Sequence, residues 1–288
     1  MAITIEERIG QHYGGLSDKL RVAADYVAAN PVEVATRSLR AVATTSGVSP
    51  ATFSRLARAL GYDDYEAMRD DGRAAVGRRM VPFSQRAHDL RTSGAGQSGR
   101  EVLARHAAAA LHNVSFLERD IAPGKLEAAV DVLHKARRVL LVGSLGSSGL
   151  VDYLGYQMHW FAADWIVAGR NGTALAAALS RLGPEDAVLA LSKTPHAKRS
   201  VSALEAAQKR GIPTVFITDT YSSPALPLAS HAFVVPTEGP QFFSSYAATV
   251  VLLETIVSLL LARAGEDAED RIRAAEDQLH SLGETWAP

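Results

Sequence analysis

The chain has 288 residues, with 30 basic side chains against 31 acidic ones and no cysteine. That length accommodates two ordinary domains, the near-neutral balance excludes a protein coated in nucleic acid while permitting a local basic patch, and the missing cysteines exclude disulfide frameworks and thiolate metal sites. The first residues lack the basic-then-apolar order of a secretion signal, and the longest apolar run, Val250 to Ala262, is interrupted by Glu254 and too short to span a bilayer. A cytoplasmic protein without a membrane partner is expected, and that run is expected to be a buried helix.

In chain order, the first strong pattern is Arg37 to Gly61, RSLRAVATTSGVSPATFSRLARALG, which suggests two short helices joined by a tight turn. It carries four arginines, and no acidic residue lies between Glu33 and Asp63. Leu39, Val42 and Ala43 share one side of the first helix, which runs out at Ser46-Gly47, where glycine can take the left-handed conformation. Val48 is a core plug, Ser49 an N-cap, and Pro50 suits the first helical position, where its missing N–H costs nothing. Phe53, Leu56, Ala57 and Leu60 then recur at helical spacing and leave Ala51, Thr52, Ser54, Arg55 and Arg58 on the other side, a face that suits a DNA major groove. Ser49, Thr52, Ser54, Arg55 and Arg58 are therefore candidate DNA contacts, with Arg55 the first choice for a base edge. Arg37 and Arg40, in the preceding helix, suit phosphates, which position a protein without reading sequence. A small helical module with a solvated basic face explains the same pattern, so both readings stay open on these residues alone.

Between Asp71 and Gly99, glycines and Pro82 are scattered among charged and small residues, so a hinge is expected, with room for a helix around Val76 to Leu90. The expected division is 1–76 as the helix-turn-helix domain, 77–100 as linker and 101–288 as a second domain. That domain opens with helical patterns over Val102 to Leu117 and Leu126 to Lys135, and then the period switches. Val139 to Gly143, Ala187 to Leu191, Pro213 to Thr218 and Ala232 to Val235 are short apolar runs alternating with amphipathic segments, and Ala163 to Val167 is a further candidate strand. A multidomain chain follows: an all-α N-terminal domain, then an α/β domain whose sheet has about five mostly parallel strands covered on both sides.

Ligands bind beyond the carboxyl ends of such strands, which directs attention to Gly143–Gly149, Ser192–Lys198 and the stretch after Val235. Ser144, Gly146, Ser147 and Ser148 could hold a phosphate at a helix N-terminus; a purely structural strand-to-helix turn is the alternative. The loop lacks the lysine of a P-loop and the spacing of a dinucleotide fingerprint, so no nucleotide and no cofactor is expected. No metal site is expected either, because His106 and His112 lie six apart and do not share adjacent turns of one helical face. Tyr153, Tyr156, Trp160 and Phe161 cover an apolar region after the first loop and suit an oligomer contact or a domain core.

Leu16 to Arg69, with its opening helix ending at Asn30-Pro31, the Val48-Ser49 turn, Thr52 followed by Arg55, and Leu60-Gly61-Tyr62 leading to Tyr65, resembles the N-terminal domain of the RpiR/MurR family of bacterial transcription regulators. The resemblance covers residues 1 to 75; Leu56 departs from it, a phenylalanine being common there. Arg137 to Gly149 and Ala187 to Leu226 are similar to a sugar isomerase (SIS) domain, the usual C-terminal partner in that family, over roughly Leu103 to Leu260. The resemblance implies a three-layer α/β domain that holds a phosphosugar through Ser147, Ser148, Ser192 and Thr194. It further implies a homodimer or tetramer on double-stranded operator DNA, a repressor or activator whose affinity a sugar phosphate or related acid changes.

The second loop departs from that family's pattern of serine, any residue, serine, glycine, any residue, threonine. Here Ser192-Lys193-Thr194-Pro195-His196-Ala197 replaces the glycine by Pro195, which removes an N–H donor, and the threonine by Ala197. Lys193, His196, Lys198 and Arg199 either supply positive charge in compensation or project into solvent. His196 and Glu238 complete the candidate ligand set. The competing reading is a phosphosugar isomerase or aldose-ketose converting enzyme with a helical appendage, for which Glu238, His196 or His231 would supply the base. Glu238 also reads as the cap of a helix beginning near Gln241, and His231 as a residue before a strand, so a regulator and not an enzyme is expected.

Overall fold

A computed structural model describes residues 5–93, 96–170 and 174–286. Packing divides the chain into two units, one made of the chain through Asp120 with Thr220–Ser223 and Pro236–Ser245, the other of Ile121–Asp219, Pro224–Val235 and everything from Tyr246 onward.

The first unit is all helical: α1 (Ile5–His12), α2 (Asp18–Ala29), α3 (Pro31–Thr36), α4 (Leu39–Ser46), α5 (Pro50–Ala59), α6 (Tyr65–Met80), α7 (Phe83–Ser93) and α8 (Gly99–Asp120). Local chemistry sets the boundaries of the helix-turn-helix. The Ser38 side chain caps α4 by accepting from Ala41 N, and α4 ends at Gly47 with φ 70°. Ser49 caps α5 by accepting from Thr52 N, and Pro50 opens the helix. The core gathers Val27, Val34, Val42, Phe53, Leu56, Leu60 and Met68. Phe53 sits at its centre, edge-on to Tyr26 at 6.1 Å and to Tyr65 at 6.2 Å.

The expected hinge is largely helical. Asp64 caps α6 through Ala67 N, and Gly72 and Gly77 each cost only ~1 kcal/mol relative to alanine inside a helix, too little to stop it. The break comes instead at Val81-Pro82, where proline forbids continuation, and α7 resumes at once. Gly94 lies outside the described residues. The expected first helix of the second domain, α8, packs with the first unit, so the packing boundary falls at Asp120. The buried Asn113 on α8 donates to Glu238 O at 2.7 Å.

The second unit contains α9 (Lys125–Lys135), β1 (Val139–Gly143), α10 (Ser148–Met158), β2 (Trp165–Val167), α11 (Leu175–Ser180), β3 (Ala187–Leu191), α12 (Lys198–Lys209), β4 (Thr214–Thr218), β5 (His231–Val234), α13 (Ala247–Ala264) and α14 (Glu266–Leu282). Its five strands run in the order β2-β1-β3-β4-β5, and every pair is parallel. Leu140, Val142, Val188, Ala190 and Phe216 meet Ala203, Leu204 and Ala207 of α12, while α13 packs against both α9 and α10. Asp186, its side chain wholly buried, takes two hydrogen bonds from Arg137 at 3.0 and 2.9 Å and one from Gly183 N at 2.8 Å. The guanidinium holds this carboxyl below its ordinary pKa and ties the approach to β1 to the approach to β3.

Two expectations change here. Glu238 caps nothing, because 236–245 is irregular and the helix begins only at Ala247. The apolar run extends at both ends into an 18-residue helix, with mean hydropathy 1.8, that is long and apolar enough to cross a bilayer on length and composition. Its Leu252, Leu253, Ile256 and Leu260 are buried in the domain core.

Phe53→Ala is expected to cost ~3–5 kcal/mol. Trp160, Trp165 and Trp286 all belong to the second unit, so the loss should appear in the far-ultraviolet circular dichroism transition and leave the tryptophan fluorescence transition in place.

Candidate ligand site and DNA-facing helix

The exposed stripe of α5 is Ala51, Arg55 and Arg58, flanked by a half-buried Ser54. Residues three, four and seven apart stack along one face of a helix, so both arginines point away from the Phe53 core. Arg55 Nε donates to Ala51 O at 3.3 Å, which lays the side chain back toward the helix N-terminus. Arg40 is exposed on α4. Arg37 is exposed too, but its guanidinium pairs with Glu33 at 3.0 Å, which offsets part of the charge expected to meet phosphate. Thr52 departs from expectation: it is 5% exposed, and its hydroxyl lies 2.8 Å from Ser49 Oγ. It sits four residues before Leu56 and so on the flank of the apolar stripe; its work is capping, and the base-reading face loses it.

The other candidate site lies where the parallel strands end. At the exit of β1, a Cβ on Gly143 would meet Ser147 O at 2.7 Å and Val151 Cγ1 at 2.8 Å. Only glycine lets the loop fold back so closely. Leu145 then takes a left-handed φ of 55°, and a single 3-10 turn leads into α10. Ser147 is buried, its hydroxyl 3.1 Å from Tyr246 Oη. Ser148 donates to Leu145 O at 2.9 Å, while Ser144 is half-buried and Gly146 exposed.

At the exit of β3, Ser192 is buried with its Oγ 3.5 Å from His196 Nδ1. The Thr194-Pro195 bond is cis. Asp219, at the end of β4, accepts from Thr194 N with both oxygens, at 3.0 and 3.1 Å, and from Thr194 Oγ1 at 3.2 Å. The threonine hydroxyl proposed for an anion therefore already serves a carboxylate. Burial pushes the His196 pKa below the usual histidine value, against the opposing pull of Asp219. Lys193 does not project into solvent. It is 4% exposed, its Nζ lies 3.4 Å from Val235 O, and it stands 5.4 Å from the Tyr246 ring centroid. Burial pushes its pKa down to about 8, with Asp219 opposing, and burial also raises that of Tyr246.

Ser147, Ser192, Thr194 and His196 thus share one unit with Lys193, Asp219 and Tyr246, three residues absent from the expected ligand set. Glu238 belongs to the other unit. No group of three or more His, Asp or Glu side chains that could hold a metal occurs among the described residues.

A model of the SIS domain matches residues 132–259, and a model of the rpiR-family helix-turn-helix domain matches residues 3–71. The chain has the domain architecture of the rpiR family. It is a DNA-binding transcriptional regulator by architecture, not an enzyme. The HTH-type transcriptional regulator YfhH of Escherichia coli K12 is 27% identical over 284 residues, spanning 96% of this chain and 98% of its own. In fold, part of the chain is similar to the sugar isomerase domain of an RpiR transcription factor from Sphaerobacter thermophilus, at TM-score 0.58 and 24% identity over 62% of this chain and 99% of that one. The fold is similar as well to that of the Vibrio vulnificus NanR protein complexed with ManNAc-6P, at TM-score 0.58 and 23% identity over 97% and 99% of the two chains.

A nuclear magnetic resonance titration should place the His196 midpoint below 6.5, and Asp219→Asn should move it lower still, because the carboxylate is what holds it up. A midpoint that rises in the variant would contradict this electrostatic picture.

Proposed function

We propose that this regulator binds an operator through the exposed face of α5 and changes its affinity when a phosphorylated or otherwise anionic carbohydrate occupies the loops beyond β1, β3 and β4. The observation that carries the first half is the Arg55 and Arg58 stripe, uncovered on a helix whose opposite face is fully committed to the core. The second half is supported by the hydroxyl, imidazole and ammonium groups of Ser147, Ser192, His196 and Lys193 at the carboxyl ends of parallel strands. It draws further support from a fold relative complexed with ManNAc-6P. Arg55 reads a base edge, Arg40 and Arg58 meet phosphates, and Ser49 offers its helix N-terminus to the backbone. A homodimer presents two such helices to a near-palindromic operator in the cytoplasm. Effector binding then alters affinity by changing the spacing at which the helices meet successive major grooves.

The experiment is binding of the purified chain to DNA from beside its own gene, at stated salt, with and without sugar phosphates and sugar acids. Arg55→Ala should lower specific operator affinity by ~1–3 kcal/mol and leave effector binding in place. Ser148→Ala should weaken the effector response and spare binding to DNA without effector. If folded variants fail to separate in this way, the assignment of roles is wrong.

A further inference from the structure

Lys193 sits at the exit of β3, buried, with an ammonium that carries three donors. Val235 O takes one of them at the long distance of 3.4 Å, and the Tyr246 ring offers only its face. The nearby carboxylate of Asp219 is turned to Thr194, which occupies both of its oxygens. Burying a cation so thinly partnered is costly, and an anion is what would compensate it. In the same loop Pro195 has no N–H to donate and Ala197 carries no hydroxyl, so neither competes with Lys193 for an anion.

We propose that Lys193 is the anion receptor of the effector site and gives it a preference for carbohydrates bearing a phosphate or carboxylate group over neutral ones. This rests on the regulator reading only in taking these loops as the effector site. It differs from a hydroxyl-and-amide cradle in one measurable respect: binding takes up a proton once Lys193 has begun to lose its own. With the free ammonium titrating at about 8, anion affinity falls about tenfold between pH 7 and pH 9. The groups facing it do not mimic that change. His196 is held below the usual histidine value and is already neutral, and Tyr246 is held above the usual phenol value and stays protonated. Asp219 accepts from Thr194 N with both oxygens.

The probes are sodium sulfate and sodium acetate, neither of which titrates between pH 7 and pH 9, with glycerol as the neutral comparison. The Lys193 Cε resonance is followed in the full-length, lysine-labelled chain and assigned with Lys193→Met, or with Lys193→Arg should the methionine variant not fold. The expected result is a shift with sulfate or acetate but not glycerol, about tenfold weaker at pH 9. Response to sulfate alone points to a phosphate ester, and response to acetate alone to a carboxylate. A Lys193 signal that titrates like an ordinary exposed lysine and ignores both anions overturns the proposal. Operator binding by the same wild-type samples keeps the two readings apart. Specific DNA binding with an unresponsive Lys193 removes the receptor and leaves the regulator, whereas an anion-responsive Lys193 without specific DNA binding does the reverse.

Discussion

Parallel strands cannot be joined by hairpins, so each must return through a crossover, and every strand then ends on the same side of the sheet. That constraint organises the second unit. It places Gly143, Leu191 and Thr218 at neighbouring exits, and loops far apart in sequence supply Ser147, Lys193 and Asp219 to one region. Because the strands are buried on both faces, their side chains are spent on packing, and chemistry is left to the loops. The Asp219 clamp on Thr194 illustrates the result: it fixes the loop after β3 from the end of β4 and leaves the adjacent lysine without a carboxylate of its own.

In the first unit the constraint is the size of one helix. α5 has ten residues, and it must fill a core with Phe53, Leu56 and Ala57 while presenting a polar face. Its Ser49-Thr52 cap consumes two side chains that might seem available to DNA. What remains for recognition is narrow, and it is dominated by two arginines whose charge is not offset by any acidic residue within the helix.

Much of this was legible in the sequence because the signals were local. Alternation of apolar runs with amphipathic segments gave all five strands within a few residues, and Ser38, Gly47, Ser49 and Pro50 marked the turn of the helix-turn-helix. The errors had two sources: local signals weighed against one another wrongly, and tertiary partners that no local pattern reveals. Gly72 and Gly77 suggested a hinge, but a good cap and strong helix formers outweighed them. The spacing of Phe53, Leu56, Ala57 and Leu60 leaves Thr52 among the polar residues, yet four residues at 100° each bring it within 40° of Leu56, on the flank of the apolar stripe. Nothing in the run Ser192 to Ala197 tells a buried lysine from a solvated one; its burial depends on Val235 and Tyr246, more than forty positions downstream. Asp219 was similarly invisible, since its role is a hydrogen bond to a backbone amide 25 residues earlier.

The sheet tapers toward its margins, from five residues in β1, β3 and β4 to three in β2 and four in β5. A border strand with so few unpaired amides is a poor template for another chain to extend. Indiscriminate backbone pairing of one copy's sheet margin with another's is thereby disfavoured, whatever side chains lie on its faces. That keeps a sheet-rich sensor from nucleating fibrous aggregates even when a newly made copy folds beside many others.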